Sequence, residues 1–365
     1  MYRGENYLVP TILKYPGGKT KELPVIREHL PKFKNYYEPF LGGGAVWLNT
    51  SAENYFVNDF SNDLMSLYNY IKDENEEFNQ IVLNITKAWK IEDLESLIVD
   101  GKELLLSEVD AEDYLGNIAN HMKERLNFLS IVDVFADKLQ KTFYRKQKKF
   151  SKLDISEIID LDTVSITIVK DAIYQTFREC YNNTENRYER VALYWYLREF
   201  SYSSMFRFNS NGKFNVPYGG KSYNDKNLVS KLKYSQSVEF KRVMDRTQLY
   251  NLDFQEFLEL SDPKCDDFVF LDPPYDTEFS TYDQKKFDSS EQIRLANYLK
   301  NNLNSKFMMV IKSSPLIQCL YKDGEEIMDG QKILKIYSFK KNYQVSFKNR
   351  NNKNAEHLLI TNYEL

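Results

Sequence analysis

The chain has 365 residues and 42% hydrophobic content, enough for one large domain or two ordinary ones with a real core. Its net charge of −4 excludes a global positive field, so any nucleic-acid binding must rest on local patches. Three scattered cysteines (Cys180, Cys265, Cys319) and three dispersed histidines give no disulfide framework and no metal-ligand spacing, residues 1–13 lack a signal-peptide core, and no apolar run reaches the roughly 18 residues of a membrane span. A soluble, reduced, cytoplasmic protein without metal is expected.

Lys14-Tyr15-Pro16-Gly17-Gly18-Lys19-Thr20 is the first stretch with chemical character. A phosphate loop needs a glycine five places before Gly18, and Leu13 stands there. What remains is a tight glycine turn between an aromatic and two lysines, then a helix with Leu23, Ile26 and Leu30 at helical spacing.

Tyr36-Tyr37-Glu38-Pro39-Phe40 reads as a strand, and Leu41-Gly42-Gly43-Gly44-Ala45-Val46-Trp47-Leu48 as a glycine loop entering a helix. Glycines let the backbone approach a ligand, and a helix N-terminus offers free N–H groups. Trp47 occupies the place of the third glycine of a dinucleotide fingerprint, so the loop suits a nucleoside cofactor without a pyrophosphate; a plain strand-to-helix turn is the simpler alternative. A second strand, residues 55–59, ends in Asp59, about 20 residues after the glycines, where nucleotide folds put a ribose-binding carboxylate. Ser61 then precedes a helix with Leu64, Leu67, Tyr68 and Ile71 on one face.

From residue 73 to about 187 the pattern is helical and reads as an inserted subdomain. Its basic run 138–152, interleaved with Phe143, Tyr144 and Phe150, fits either a DNA backbone or a solvated helix face. Residues 194–220 differ. Arg198, Tyr202, Arg207 and Asn209 crowd ahead of Asn211-Gly212, a strong hairpin signal, with Asn215 just beyond. Arginine and asparagine read guanine and adenine edges bidentately, and Lys221, Lys226, Lys231 and Lys233 can hold phosphates; a decorated hairpin is the bland reading.

Residues 238–244 read as a strand. Leu252-Asp253-Phe254 either brackets an adenine ring with an acid and an aromatic, or caps a short helix that carries a core phenylalanine. Then comes Phe268-Val269-Phe270-Leu271-Asp272-Pro273-Pro274-Tyr275. Four apolar residues make a buried strand, and the prolines end it. A carboxylate, a proline carbonyl and an aromatic ring are left at the carboxyl end of a strand, where open α/β sheets bind ligands. Asp272 and the Pro273 carbonyl can each accept one N–H of an exocyclic amine while Tyr275 stacks on its base. A polar aromatic loop runs to Asp288, and Ser289 with Gln292 reads as a capping box for a helix bearing Ile293, Leu295, Ala296 and Leu299. Strands are expected at 307–311, 333–339 and 357–363, with a basic loop at 348–354.

Taken together, these stretches resemble the Dam-type DNA adenine methyltransferases, which use S-adenosylmethionine. The matching pieces are residues 14–20, 37–49, 58–72, 207–219, 253–254, 272–275 and 358–363, in the family's order of cofactor motifs, target recognition and catalysis. The resemblance implies an α/β, Rossmann-like methyltransferase sheet with helices on both faces, plus a mostly helical target-recognition subdomain with a β-hairpin. It assigns residues 1–73 and 235–365 to the catalytic, cofactor-binding domain and 74–234 to the insertion and DNA-binding domain. Tyr15, Lys19, Phe40, Gly42, Gly44, Asp59, Asp253, Phe254 and Asp272 would line the cofactor site. Asp272, Pro273, Pro274 and Tyr275 would carry catalysis on an adenine flipped out of duplex DNA. Tyr202, Arg207, Asn209, Asn215, Lys221 and Lys226 would contact DNA, with Arg207 at the guanine-reading position and GATC as the expected site. The family often has Asn-Gly where this chain has Ser203-Ser204, and Ser-Asn where it has Ser313-Ser314. A companion restriction endonuclease is a further partner the resemblance allows. Two other readings stand beside it: an inactive methyltransferase fold that binds nucleic acid, and methylation of RNA adenine or of a protein glutamine.

Overall fold

Seven strands form one sheet: β1 (Tyr36–Glu38), β2 (Tyr55–Asn58), β3 (Thr247–Tyr250), β4 (Phe268–Leu271), β5 (Lys306–Lys312), β6 (Lys335–Asn342) and β7 (Asn354–Thr361). The computed structural model describes residues 8–15, 17–131, 133–152, 160–275, 281–282, 285–342 and 354–364. The sheet order is β6-β7-β5-β4-β1-β2-β3. Strands β1 to β5 are parallel, with Tyr36 opposite both Tyr55 and Phe268, and β7 runs antiparallel to β5 and β6. Every residue of β4 is fully buried, as are Phe307 to Ile311 of β5. Such continuous apolar strands belong in a parallel sheet covered on both faces. Helices follow the strands: Asn62–Lys72 after β2, Phe254–Ser261 after β3, Ser289–Asn301 after β4 and Pro315–Leu320 after β5.

The chain winds outward from β1 to β2 and β3, then returns to β4 on the other side of β1. The carboxyl ends of β1 and β4 therefore flank a topological switch point, where open α/β sheets form their ligand crevice. Pro39 follows β1, Asp59 follows β2, and Asp272 follows β4.

Several local expectations change. Residues 238–244 form a helix, Val238–Met244, not a strand. The pattern buries Phe240 and Met244, four apart, and leaves Val238 81% exposed, so the helical period wins. The glycine loop leads into a single 3-10 turn, Trp47–Asn49, rather than a full helix. Asp288, not Ser289, caps the helix that follows, accepting the N–H groups of Ser290 and Glu291. Ile333 lies outside β6, in a two-residue pairing of Lys332–Ile333 with Glu326–Ile327. The expected basic loop at 348–354 lies outside the described residues except for Asn354, which opens β7, and part of the loop after Tyr275 also lies outside them.

The chain divides into two compact units. One comprises the chain up to Thr11, Gly17–Asn69 and Val238–Leu365, and contains the sheet. The other comprises Ile12–Pro16 and Tyr70–Ser237. Its main helices are Glu76–Trp89, Glu112–Leu126, Val134–Phe150, Leu161–Asn183 and Arg187–Phe200. Asn75, Asp160 and Asn186 cap three of them through side-chain oxygens. An aromatic cluster fills this unit: Trp89 packs on Tyr196, Phe200 and Tyr218. On Val134–Phe150 the aromatic Phe143 is buried, while Lys138, Lys141 and Arg145 pair with Glu179, Asp137 and Asp171. That is a solvated helix face laced with ion pairs.

Candidate active site

Asp272 stands at the first position after β4, with a buried proline behind it. Its Oδ1 accepts a hydrogen bond from the Lys19 ammonium. Lys19 is 2% exposed, also donates to the Gly17 carbonyl at 3.1 Å, and lies 5.7 Å from the centre of the Tyr275 ring. The glycine turn thus delivers a buried cation to the acid. The Pro-Pro turn is held from the neighbouring helix, where buried Gln292 donates from Nε2 to the Pro274 carbonyl at 2.7 Å. Tyr275 is half-buried and meets the edge of buried His357 at 5.7 Å.

The glycine loop is built around the end of β1. Gly42 and Gly44 both take positive φ, 49° and 69°. A Cβ on Gly44 would come within 2.7 Å of the Trp47 ring, so this position needs glycine both for its backbone and for its space. Asp59, 5% exposed, ties the loop down: its Oδ2 accepts the Gly42 N–H at 2.9 Å and its Oδ1 the Ser61 N–H at 2.9 Å. Glu38, 2% exposed, ends β1 beneath the loop and accepts the Tyr36 hydroxyl at 2.8 Å. Burial pushes the Glu38 carboxyl well above the usual carboxylate range. The charges of Asp272 and Asp59 push the same way, while the bonds from Tyr36 and the Trp47 N–H oppose them.

Asp253 follows β3 and caps the helix Phe254–Ser261 through Gln255 N–H. Arg294 grips the same carboxylate with two bonds of 2.7 Å and lies 4.1 Å over the Phe254 ring. The bond from Arg294 holds the Asp253 carboxyl below its ordinary range. Phe254 is buried and packs on Phe40 at 5.6 Å. Both sequence readings of this acid-aromatic pair are therefore compatible with the geometry: a cap with a core ring, and a carboxylate beside an aromatic.

The remaining expected residues lie in the other unit. The Arg198 guanidinium sits 4.4 Å from the centre of the Tyr15 ring and 4.0 Å from that of Phe206. The Asn211-Gly212 turn is present: Phe208 bridges Phe214, and Ser201 bridges Tyr218. Asn209 builds that turn, its Oδ1 accepting the N–H groups of Asn211 and Lys213. Arg207, Asn215 and Tyr202 are exposed. Lys221 pairs with Asp160 at 2.8 Å. Lys226 donates to the Glu199 carbonyl at 3.1 Å and lies over the Tyr223 ring. Ser203 and Ser204 both take left-handed φ, 53° and 52°.

A family profile described as D12 class N6 adenine-specific DNA methyltransferase matches residues 15–336. The chain belongs to that family. It is 24% identical over 323 residues to the type II methyltransferase M1.LlaDCHI of Lactococcus lactis subsp. cremoris, covering 85% of this chain and 84% of that one. It is 25% identical over 360 residues to the type II methyltransferase M.CviBI of Paramecium bursaria Chlorella virus NC1A, covering 96% and 99%. The DNA adenine methylase of Salmonella typhi is 23% identical over 309 residues, covering 82% and 79%.

Membership makes the chain an adenine-specific DNA methyltransferase, a reaction that requires a methyl donor. No described helix is long and apolar enough to cross a membrane. In this D12 family member three further residues lie beside the candidate site residues. Glu38 falls inside the strand expected over 36–40, and the acid before Pro-Phe and three glycines is the signal that marks it. Gln292 was assigned to a helix cap, and its bond to Pro274 spans 18 residues. Arg294 gave no sequence signal, because its partner lies 41 residues away.

Proposed function

We propose that the chain transfers the methyl group of S-adenosylmethionine to the N6 amine of an adenine swung out of duplex DNA. The observation that carries this is Asp272, held at the carboxyl end of β4 by the buried Lys19 ammonium, beside the switch point. A target adenine is out of reach inside the duplex, so it must leave the stack. Asp272 accepts one amine hydrogen; a carboxylate oxygen that already takes one bond keeps a lone pair for another. The Pro273 carbonyl accepts the other hydrogen, and Gln292 stiffens the turn that presents it. Both bonds draw electron density onto the nitrogen and orient its lone pair. Tyr275 offers its ring face to the base.

When bound, S-adenosylmethionine supplies an electrophilic methyl group on a sulfonium that leaves neutral. Its fit is supported by the donor set at the strand ends. Two glycines with left-handed backbone open the loop, and buried Asp59 lies beside it for a ribose hydroxyl. Asp253 and Phe254 offer an acid and a ring for an adenine. Buried acids and neutral backbone suit a cationic nucleoside without phosphates. Positioning and a preorganised polar site would supply the rate.

In the helical unit, Arg207, Asn215 and Tyr202 are the proposed contacts to DNA. A companion endonuclease enters the proposal through the type II names of two relatives, and the genes beside this one would test it. The experiment for the activity is methyl transfer from tritiated S-adenosylmethionine to duplex DNA, followed by nucleoside analysis. Label in N6-methyladenine is expected. Label only in RNA, or none in any nucleic acid, would overturn the proposal.

A further inference from the structure

Asn58, the last residue of β2, is 1% exposed and joins three strand ends. Its Nδ2 donates to the Pro39 carbonyl at 3.0 Å and to the Leu252 carbonyl at 3.1 Å. Its Oδ1 accepts the Leu252 N–H at 2.8 Å. Its own carbonyl accepts the Leu41 N–H at 2.9 Å. The side chain thus uses both donors and its acceptor, and it does so where strands diverge and ladder bonds run out. Pro39 has no N–H, so the ladder stops there, and the amide satisfies the carbonyl left beyond the strand end. Nearby, Asn251 donates to the carbonyls of Asp59 at 2.8 Å and Phe60 at 3.1 Å.

These bonds have a directional consequence. Pro39 leads into Phe40, Leu41 and Gly42, the start of the glycine loop. Leu252 leads into Asp253 and Phe254. One amide therefore sets the spacing between the loop and the acid-aromatic turn. A buried polar network with every member bonded is rigid, since any displacement strands a group in a medium without water.

We propose that Asn58 is the positioning residue of the cofactor crevice, fixing the glycine loop against the Asp253 turn and so setting affinity for the methyl donor without touching it. This rests on the proposed use of S-adenosylmethionine. Small acyclic residues other than asparagine cannot reproduce it: aspartate keeps the Leu252 N–H bond but turns an oxygen toward the two carbonyls.

The test is calorimetric binding of S-adenosylmethionine to wild type, Asn58→Ala and Asn58→Asp, with steady-state kinetics and DNA affinity on the same preparations. Cofactor Kd and KM are expected to rise about tenfold or more, because several buried bonds are lost together. The kcat at saturating cofactor and the DNA Kd should stay near wild type. Melting is followed in parallel. A cofactor Kd within about twofold of wild type, whatever the change in Tm, overturns the role and leaves Asn58 a structural residue. If these two variants do not fold, Asn58→Ser, whose shorter hydroxyl can replace only part of the bonding, decides: a rise in cofactor KM at constant kcat supports the role, and an unchanged KM overturns it. Wild type that fails to bind S-adenosylmethionine overturns the cofactor reading itself, a result distinct from unaffected variants.

Discussion

Lys19 donates its ammonium hydrogen bond to Oδ1 of Asp272, a partner 253 residues away, from a side chain that is only 2% exposed. Burying an ion pair costs desolvation that attraction alone rarely offsets, so such a pair is better explained by orientation than by stability. Here it fixes the acid proposed to grip the target amine. Asp272→Ala should abolish methyl transfer while the fold and much of the DNA affinity survive. Lys19→Met, which keeps the stem and removes the charge, should lower kcat by roughly 100- to 1000-fold, the range for one preorganised electrostatic group. Single-turnover rates at saturating cofactor check both. Near-wild-type rates in Asp272→Ala would remove it from the chemistry.

What the chain reveals before folding is mostly what lies close in sequence. The strand ends were legible, because short apolar runs stop at Pro39, Asp59 and Asp272. Six of the seven strands follow from such runs, whereas Thr247–Tyr250 at the sheet edge has no apolar run to mark it. Residues 238–244 read equally as a strand, because Val238, Phe240 and Met244 alternate while Phe240 and Met244, four apart, also fit a helix, and only burial decides between them. The partners of Lys19, Asp253 and Gln292 were not legible, since each bond closes a long loop of chain and no local pattern encodes it. Asp253 shows the limit most clearly. A cap and a ligand-binding acid demand the same residue at the same place, and its grip by Arg294 comes from another element altogether.

Asp59 carries two duties in this geometry. It holds the Gly42 N–H, and it is the proposed ribose partner. Asp59→Ala should therefore weaken S-adenosylmethionine binding by about tenfold or more, corresponding to roughly 1.5–3 kcal/mol for a hydrogen bond to a charged group. Isothermal calorimetry measures this directly. Unchanged cofactor affinity would return Asp59 to a turn residue.

Ser203 and Ser204 sit consecutively in left-handed backbone. A non-glycine residue there costs roughly 1–2 kcal/mol, and asparagine and glycine tolerate it best. This gives a physical reason to expect asparagine or glycine to be favoured at these two positions. The double change Ser203→Asn, Ser204→Gly should stabilise the chain by about 1 kcal/mol, after allowing for the extra freedom of glycine in the unfolded chain. Urea unfolding of the two proteins would show it as a higher midpoint. A lower midpoint would mean that the serine side chains contribute more than the strain costs.

Lys226 is half-buried, and burial together with the Lys14 charge pushes its ammonium down to about 8. Its folded value lies below its unfolded one, so the folded state binds fewer protons between the two. Stability should then rise with pH from about 8 toward the unfolded lysine value, on this group's account. In Lys226→Met that contribution vanishes. The Tm of wild type relative to the variant should therefore climb between pH 8 and about 10 and stay level below pH 7. A difference independent of pH over this window would show that Lys226 keeps an ordinary proton affinity.

Arg207 is exposed on the arm that leads into the Asn211-Gly212 turn, where its main-chain carbonyl accepts the Asn215 N–H at 3.4 Å. Among the described residues its guanidinium has no hydrogen bond or ion pair. Lys221 differs, since its ammonium is already engaged by Asp160. An exposed arginine at this place beside the turn suits bidentate reading of guanine O6 and N7, worth about 1–3 kcal/mol of discrimination. Arg207→Ala should relax the methylated motif at one base pair more than it weakens binding overall. Lys221→Ala should do the reverse: affinity falls for every sequence, and the salt dependence flattens by about one unit if the lysine leaves Asp160 for a phosphate. Long-read sequencing of methylated bases in a host expressing each protein reads out the motif, with GATC as the expected starting site. If Arg207→Ala keeps the wild-type motif at every position, base reading lies elsewhere in the helical unit, and Asn215 and Tyr202 are the next exposed residues to change.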